Sequence, residues 1–157
     1  LQIDAHGNTN LIGIGSDFNR LKMRGPGGVG TASMGTNVGR YYLYVNNHNK
    51  QTLTERLDWR SCFGFGEGGA DARTKLNLPG SGPRFCITPL CIFDFEEQTK
   101  RMRLKSVHPG VTVEQVLAST GFAPAVPDDI PTTAPPTAEQ IKLLRTRIDV
   151  EGILRRP

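Results

Sequence analysis

Cys91-Ile92-Phe93-Asp94-Phe95-Glu96-Glu97-Gln98-Thr99-Lys100-Arg101-Met102-Arg103-Leu104-Lys105 reads as two strands facing one another across a polar turn. The first arm is apolar or aromatic apart from Asp94. The second alternates basic and apolar side chains at period two, which puts one face in a core and the other in water. Upstream, Phe85-Cys86-Ile87-Thr88 is another short apolar run. Tyr41-Tyr42-Leu43-Tyr44-Val45 is the most strand-like stretch of the chain, aromatic and apolar enough to be expected at the centre of a sheet. Downstream, Thr112-Val113-Glu114-Gln115 predicts a helix opened by a capping box, with Gly121 as its C′ glycine. Thr137-Ala138-Glu139-Gln140 begins a second capped helix, with Ile141, Leu144 and Ile148 on one face. Shorter helices are predicted from Val29 to Gly35, packed closely on the sheet, and from Thr52 to Leu57. Strands, short helices and a hairpin in this order indicate a mixed α/β fold.

The chain has 157 residues, which favours a single domain over 1–157, and 37% hydrophobic against 22% charged residues is the balance of ordinary soluble material. No apolar run approaches the roughly 20 residues of a spanning helix, so no membrane association is expected. Leu1-Gln2-Ile3-Asp4 has neither the basic nor the apolar region of a signal peptide. It reads as a chain joined partway through an element. The three cysteines are an odd number with no C-x-x-C pair, which argues against a disulfide framework and a zinc site and makes a reducing cytoplasm the default. The net charge of +4 comes from scattered residues, so no nucleic-acid partner is expected. Its one local cluster, Lys100 to Lys105, reads as the wet face of a strand or as an anion-facing edge. Residues 61–83 form a long glycine-rich loop, of the kind that is usually functional. Prolines recur over 123–136, predicting an extended surface segment, and Arg155-Arg156-Pro157 reads as a tail.

His6-Gly7-Asn8-Thr9-Asn10 is a turn, since Gly and Asn tolerate positive φ. Arg20-Leu21-Lys22-Met23-Arg24 alternates and reads as a strand feeding Gly25-Pro26-Gly27-Gly28. That loop lacks the third glycine of G-x-G-x-x-G, and the chain has no P-loop Lys-Ser/Thr pair, so a nucleotide-binding enzyme is poorly supported.

Gln2-Ile3-Asp4 with Gly7-Asn8-Thr9-Asn10, followed by Gly25-Pro26-Gly27-Gly28, resembles the class I CoA transferases. The series Phe93-Asp94-Phe95, Thr99-Lys100-Arg101-Met102, Val107-His108-Pro109-Gly110-Val111-Thr112, Thr120-Gly121-Phe122 and Ile148-Asp149 looks like the β subunits of the glutaconate CoA-transferase branch. So does His48-Asn49-Lys50 followed by Arg56-Leu57-Asp58. The resemblance implies an open Rossmann-like mixed sheet of the NagB/RpiA-like type. It implies transfer of CoA between an acyl-CoA and a carboxylic acid through a glutamyl-CoA thioester, with coenzyme A as substrate and no permanently bound cofactor or metal. The nucleophilic glutamate of that branch lies upstream of the Gln-Ile-Asp strand, so this chain, as the C-terminal part of a β subunit, is expected to hold no catalytic side chain and to be inactive alone. The implied partner is an α subunit, in a heterodimer or α2β2 assembly.

Gly25, Gly27, Gly28, Asn8 and Asn10 are the implied CoA-binding residues, with oxyanion support from the Gly28 and Val29 backbone. Tetrahedral oxyanions need N–H donors at roughly 2.7–3.1 Å, and residues without Cβ let amides come that close. The bland reading of the loop is a tight turn that binds nothing, and Asn8 and Asn10 can equally be turn asparagines that hold the loop. Val29 stands where the family usually has Ala, and Asn49 where it usually has Glu, so His48 is assigned no chemistry. Glu67 reads as a solvated loop carboxylate and His108 as a strand-end anchor. Two alternatives fit the same residues: a CoA-ester hydrolase or ring-cleaving relative, and a non-catalytic CoA-binding or sensor domain.

Overall fold

The computed structural model describes residues 2–155; Leu1 of the opening strand and Arg156 and Pro157 of the predicted tail lie outside the described residues. Two small antiparallel hairpins come first. β1 (Gln2–Ile3) pairs with β2 (Thr9–Asn10), and β3 (Gly13–Ile14) pairs with β4 (Met23–Arg24). After α1 (Thr31–Asn37) come β5 (Tyr41–Tyr44), α2 (Ala72–Lys75), β6 (Pro83–Ile87), β7 (Cys91–Phe95) and β8 (Met102–Val107). The chain closes with α3 (Val113–Ser119) and α4 (Ala138–Leu143). One four-stranded sheet runs in the order β5-β6-β7-β8, with β5 and β6 parallel and the rest antiparallel. This is the mixed α/β architecture that the strand and helix patterns predict.

The hairpin formed by β7 and β8 follows from its alternation. Phe93 lies opposite Leu104, Asp94 opposite Arg103 and Phe95 opposite Met102. Phe93, Met102 and Leu104 are fully buried on the inner face, while Arg103 and Lys105 face outward. Onto the inner face pack Ile3, Leu53, Val116 from α3 and Phe122. Each large side chain so buried contributes roughly 1.5–3 kcal/mol. The capping box of α3 forms as predicted, with the Thr112 side chain accepting from the Gln115 N–H and the Gln115 side chain from the Thr112 N–H.

Several elements differ from the sequence reading, each for a physical reason. β5 is an edge strand: only Tyr41 and Leu43 are buried, and Tyr42 and Tyr44 are 53% and 77% exposed. Of the strand expected from Arg20 to Arg24, only Met23 and Arg24 pair, because Asp17 caps a 3-10 turn over Phe18–Arg20. No helix forms from Thr52 to Leu57. The Thr52 carbonyl accepts from Ile3 N–H at 2.7 Å and the Leu53 carbonyl from Gly121 N–H at 2.7 Å, so both are taken across the chain. α1 starts two residues after Val29 and is largely exposed, touching the body through Gly35. Gly121 does follow α3, but without positive φ; it is needed because a Cβ there would collide with the Leu53 and Lys50 carbonyls.

Residues 61–83 are not slack: they contain α2 and are bonded to the first hairpin at several points. The proline segment is extended, as predicted, and runs beside β8. Ala125 N–H donates to Met102 O, Leu104 N–H to Ala125 O, Val107 N–H to Pro131 O and Thr133 N–H to Val107 O, at 2.7–3.1 Å. α4 buries none of its residues, and after Leu143 the winding widens to a π-turn over Leu144–Ile148. The predicted face therefore breaks up, leaving Ile141 half-buried and Leu144 and Ile148 exposed. No described helix is long and apolar enough to cross a membrane.

Candidate functional site

The two asparagines lie in the first hairpin, upstream of the glycine loop. Asn8 is fully buried, and its amide has every hydrogen-bonding position filled. Nδ2 donates to Asp4 Oδ2 and Gly66 O, both at 2.8 Å, and Oδ1 accepts from Gly64 N–H at 2.9 Å and Gly66 N–H at 3.0 Å. Asp4 Oδ1 in turn accepts the His6 and Asn8 N–H groups at 3.0 Å. Burial raises the Asp4 pKa against the lowering effect of these bonds. Asn10, also fully buried, donates to Gln2 Oε1 and Gly13 O and accepts from the Ile12 and Gly13 N–H groups. The side chains of Asn8 and Asn10 are thus consumed inside the chain. They hold the turn and the segment behind it, and have nothing left to offer a ligand.

From Asn10 the chain passes through the second hairpin, which Trp59 and Asp58 pin in place: Trp59 Nε1 donates to Gly15 O at 2.7 Å and Gly15 N–H donates to Asp58 Oδ2 at 2.7 Å. The loop then returns along its own outgoing strand. Gly25 N–H donates to Ile12 O at 2.8 Å and Gly27 N–H to Leu11 O at 3.0 Å. Those two amides are therefore occupied. Gly28 O accepts both the Thr31 N–H and the Thr31 hydroxyl, at 2.8 and 2.6 Å. Among the described residues, the N–H groups of Gly28 and Val29 meet no acceptor.

Gly27, Val29 and Gly30 have φ of 85°, 38° and 80°. Left-handed residues interleaved with others are the backbone pattern that can gather N–H groups around an anion. A β-branched Val in that region is strained by about 1–2 kcal/mol, and Val29 is 68% exposed. A Cβ on Gly28 would meet no atom within 4 Å beyond its chain neighbours. Among the described residues, no contact across the chain requires that position to be glycine.

Behind the loop, α1 is anchored by a residue that the sequence does not advertise. Arg73 is 7% exposed, yet no carboxylate answers it among the described residues. Its guanidinium donates to four carbonyls instead: Gly35 and Pro79 at 2.7 Å, Gly64 at 3.0 Å and Gly80 at 3.1 Å. It ties α1 to both arms of the glycine-rich 61–83 segment. A Cβ on Gly35 would fall onto the Cys62 sulfur, so that glycine marks the close approach.

The remaining candidates lie apart from this loop. Glu67 is exposed and paired with Arg60 at 2.9 Å. His48 is held between Thr88 Oγ1 at 2.8 Å and Thr120 Oγ1 at 2.9 Å, and burial lowers its pKa. His108 donates through Nε2 to Thr88 O at 2.9 Å, as a strand-end anchor would. The three cysteines are free and buried; burial pushes the Cys91 thiol up to about 12 and raises Cys62 and Cys86 as well, so none is a ready nucleophile. What the loop turns to solvent among the described residues is a backbone edge with two unbonded amides, a geometry that can stabilise developing negative charge.

No protein-family model matches the chain. It is 38% identical over 144 residues to the B-subunit of the 3-oxoadipate CoA-transferase of Pseudomonas knackmussii, covering 92% of this chain and 54% of that protein. It is 36% identical over 149 residues to the B-subunit of the glutaconate CoA-transferase of Acidaminococcus fermentans, covering 94% of this chain and 54% of the other. The crystal structure of glutaconate coenzyme A-transferase from Acidaminococcus fermentans superposes with a TM-score of 0.88 at 31% identity, over 99% of this chain and 58% of that one. The chain thus spans about half the length of the curated relatives it matches.

Proposed function

This chain is a homologue of the β subunits of CoA-transferases, and from that premise we propose that it supplies the thioester-facing loop of an enzyme that moves CoA between an acyl-CoA and a carboxylic acid. The observation that carries the reading is Gly28: a glycine with open space around its missing side chain, beside two unclaimed amides, on a loop braced from behind. Space kept clear of protein there is space for a ligand.

In this reading a glutamate from outside the chain attacks the thioester carbonyl. The carbonyl oxygen becomes an oxyanion, which the Gly28 and Val29 N–H groups stabilise. One such donor is worth about 3–4 kcal/mol of barrier in a water-excluded site. CoA leaves as thiolate, giving an acyl-glutamyl anhydride, and attacks its glutamyl carbonyl, releasing the donor carboxylate and leaving a glutamyl-CoA thioester. The acceptor carboxylate takes CoA by the same steps in reverse, so one difficult transfer is divided into easier ones. Gly25 and Gly27 fix the loop's inner edge, Asn10 holds the segment they bond to, and Arg73 anchors the helix that follows. An α subunit completes the site in a heterodimer or α2β2 assembly. The chain alone turns nothing over, and its three free thiols suit a reducing cytoplasm.

The test is Gly28→Ala in the complete enzyme, assayed for transfer from acetyl-CoA. The added methyl touches no atom beyond its chain neighbours, so the melting temperature stays within a degree or so while kcat/KM falls at least tenfold, about 1.4 kcal/mol. Unchanged turnover would remove the loop from the site.

A further inference from the structure

The cluster Lys100 to Lys105 plays no part in the glycine loop, yet the fold gathers it with two distant arginines. Lys100 and Lys105 line one cavity of about 420 Å³ together with Arg40 and Arg84. None of the four has a carboxylate partner among the described residues. The one acid in the lining, Asp94, is already clamped by Arg103, Nε to Oδ1 at 2.9 Å and Nη2 to Oδ2 at 2.8 Å.

Aromatic rings lie under three of these cations. Arg84 and Lys105 both sit over the Phe85 ring, at 5.3 and 5.6 Å, and Lys100 sits over Phe65 at 5.6 Å. Tyr42, half exposed, stacks on Phe85 with centroids 5.7 Å apart and planes at 24°. Lys100 itself occupies the left-handed region, φ 56°, at a turn position that a glycine would fill without strain. The strained turn is used to bring a charge to the cavity.

We infer that Arg40, Arg84, Lys100 and Lys105, walled by Phe85 and Phe65, form a binding site for a phosphate-bearing small molecule. Two arginine forks match phosphate oxygens bidentately, and two lysines add point charge. The phosphates of CoA and those of a free nucleotide share this chemistry. The site stands on its own geometry and does not depend on the glycine-loop reading.

The experiment is calorimetric titration of the protein in its native assembly with pyrophosphate, adenosine 3′,5′-bisphosphate, CoA and acetyl-pantetheine, at low and moderate salt. It is repeated on Arg84→Gln/Lys105→Gln and on Gly28→Ala. Both exchanged cations are exposed, and an unchanged melting temperature certifies the fold of the double variant. The expected result is saturable binding of pyrophosphate and the bisphosphate that weakens with salt, falls at least tenfold in the double variant and is unmoved by Gly28→Ala. CoA losing affinity in parallel identifies it as the source; CoA indifferent to the double variant assigns the site to a separate phosphate compound. Acetyl-pantetheine, which carries no phosphate, reports on the glycine loop alone, so the two readings fail separately. Absence of saturable binding, binding indifferent to the double variant, or equal affinity for an oligoglutamate peptide would overturn the inference.

Discussion

Arg73 shows how much one side chain can carry when its partners are all backbone. Four carbonyls from three stretches of chain converge on its guanidinium. Arg73→Met keeps much of the stem but strands those carbonyls, and the expected loss is roughly 3 kcal/mol, since each buried unsatisfied acceptor costs about 1–3 kcal/mol and some regain water. Urea unfolding measures it; a loss under about 1 kcal/mol would mean the carbonyls find other donors. In the sequence Arg73 stands in the polar run Asp71-Ala72-Arg73-Thr74-Lys75 and looks like any surface residue. Asn8 and Asn10 were legible as turn-formers because that preference is local. The distant partners of Asn8 were not, since Gly64 and Gly66 lie more than fifty residues away.

At the scale of elements, the two capping boxes have the same chemistry and different consequences. Thr112→Ala should cost about 1 kcal/mol of global stability, because α3 carries the fully buried Val116. Thr137→Ala removes an equivalent cap from a helix that buries nothing, so it should fray α4 and leave the melting temperature nearly unchanged. Thermal unfolding with far-ultraviolet circular dichroism separates the two, and equal shifts would refute the distinction. The β7–β8 hairpin and both caps were readable because period and cap spacing are properties of a short stretch. The edge position of β5 and the absence of a helix at Thr52 were not, because neighbours in a sheet and cross-chain hydrogen bonds are set by tertiary pairing.

The whole molecule's response to acid draws on its half-buried histidines. Burial lowers the pKa of His48, and also of His6, from the ordinary 6.5. Below 6.5 the unfolded chain takes up protons that the folded chain refuses, so stability is present above that value and drains away as pH falls toward the lowered folded values. The melting temperature should be lower at pH 5.5 than at 7.5, with a shallower slope in His48→Asn; an identical slope would place the effect elsewhere. Asp4, raised by burial, has the opposite sense, favouring the fold most where its carboxyl is protonated.

The extended run beside β8 does something further for the molecule as a whole. By bonding at Ala125, Pro131 and Thr133 it takes up that margin of the sheet, and β5 is left as the margin without a neighbour among the described residues. A sheet with two open margins can polymerise; with one, it can only be terminated. Two copies meeting β5 to β5 would use up both available margins, and a third would find nowhere to add. Sedimentation at rising concentration should show any strand-mediated species stopping at two, a growing ladder of sizes being the contrary sign. The proline segment thus covers one margin of the sheet, so that among the described residues strand addition to it is open only at β5.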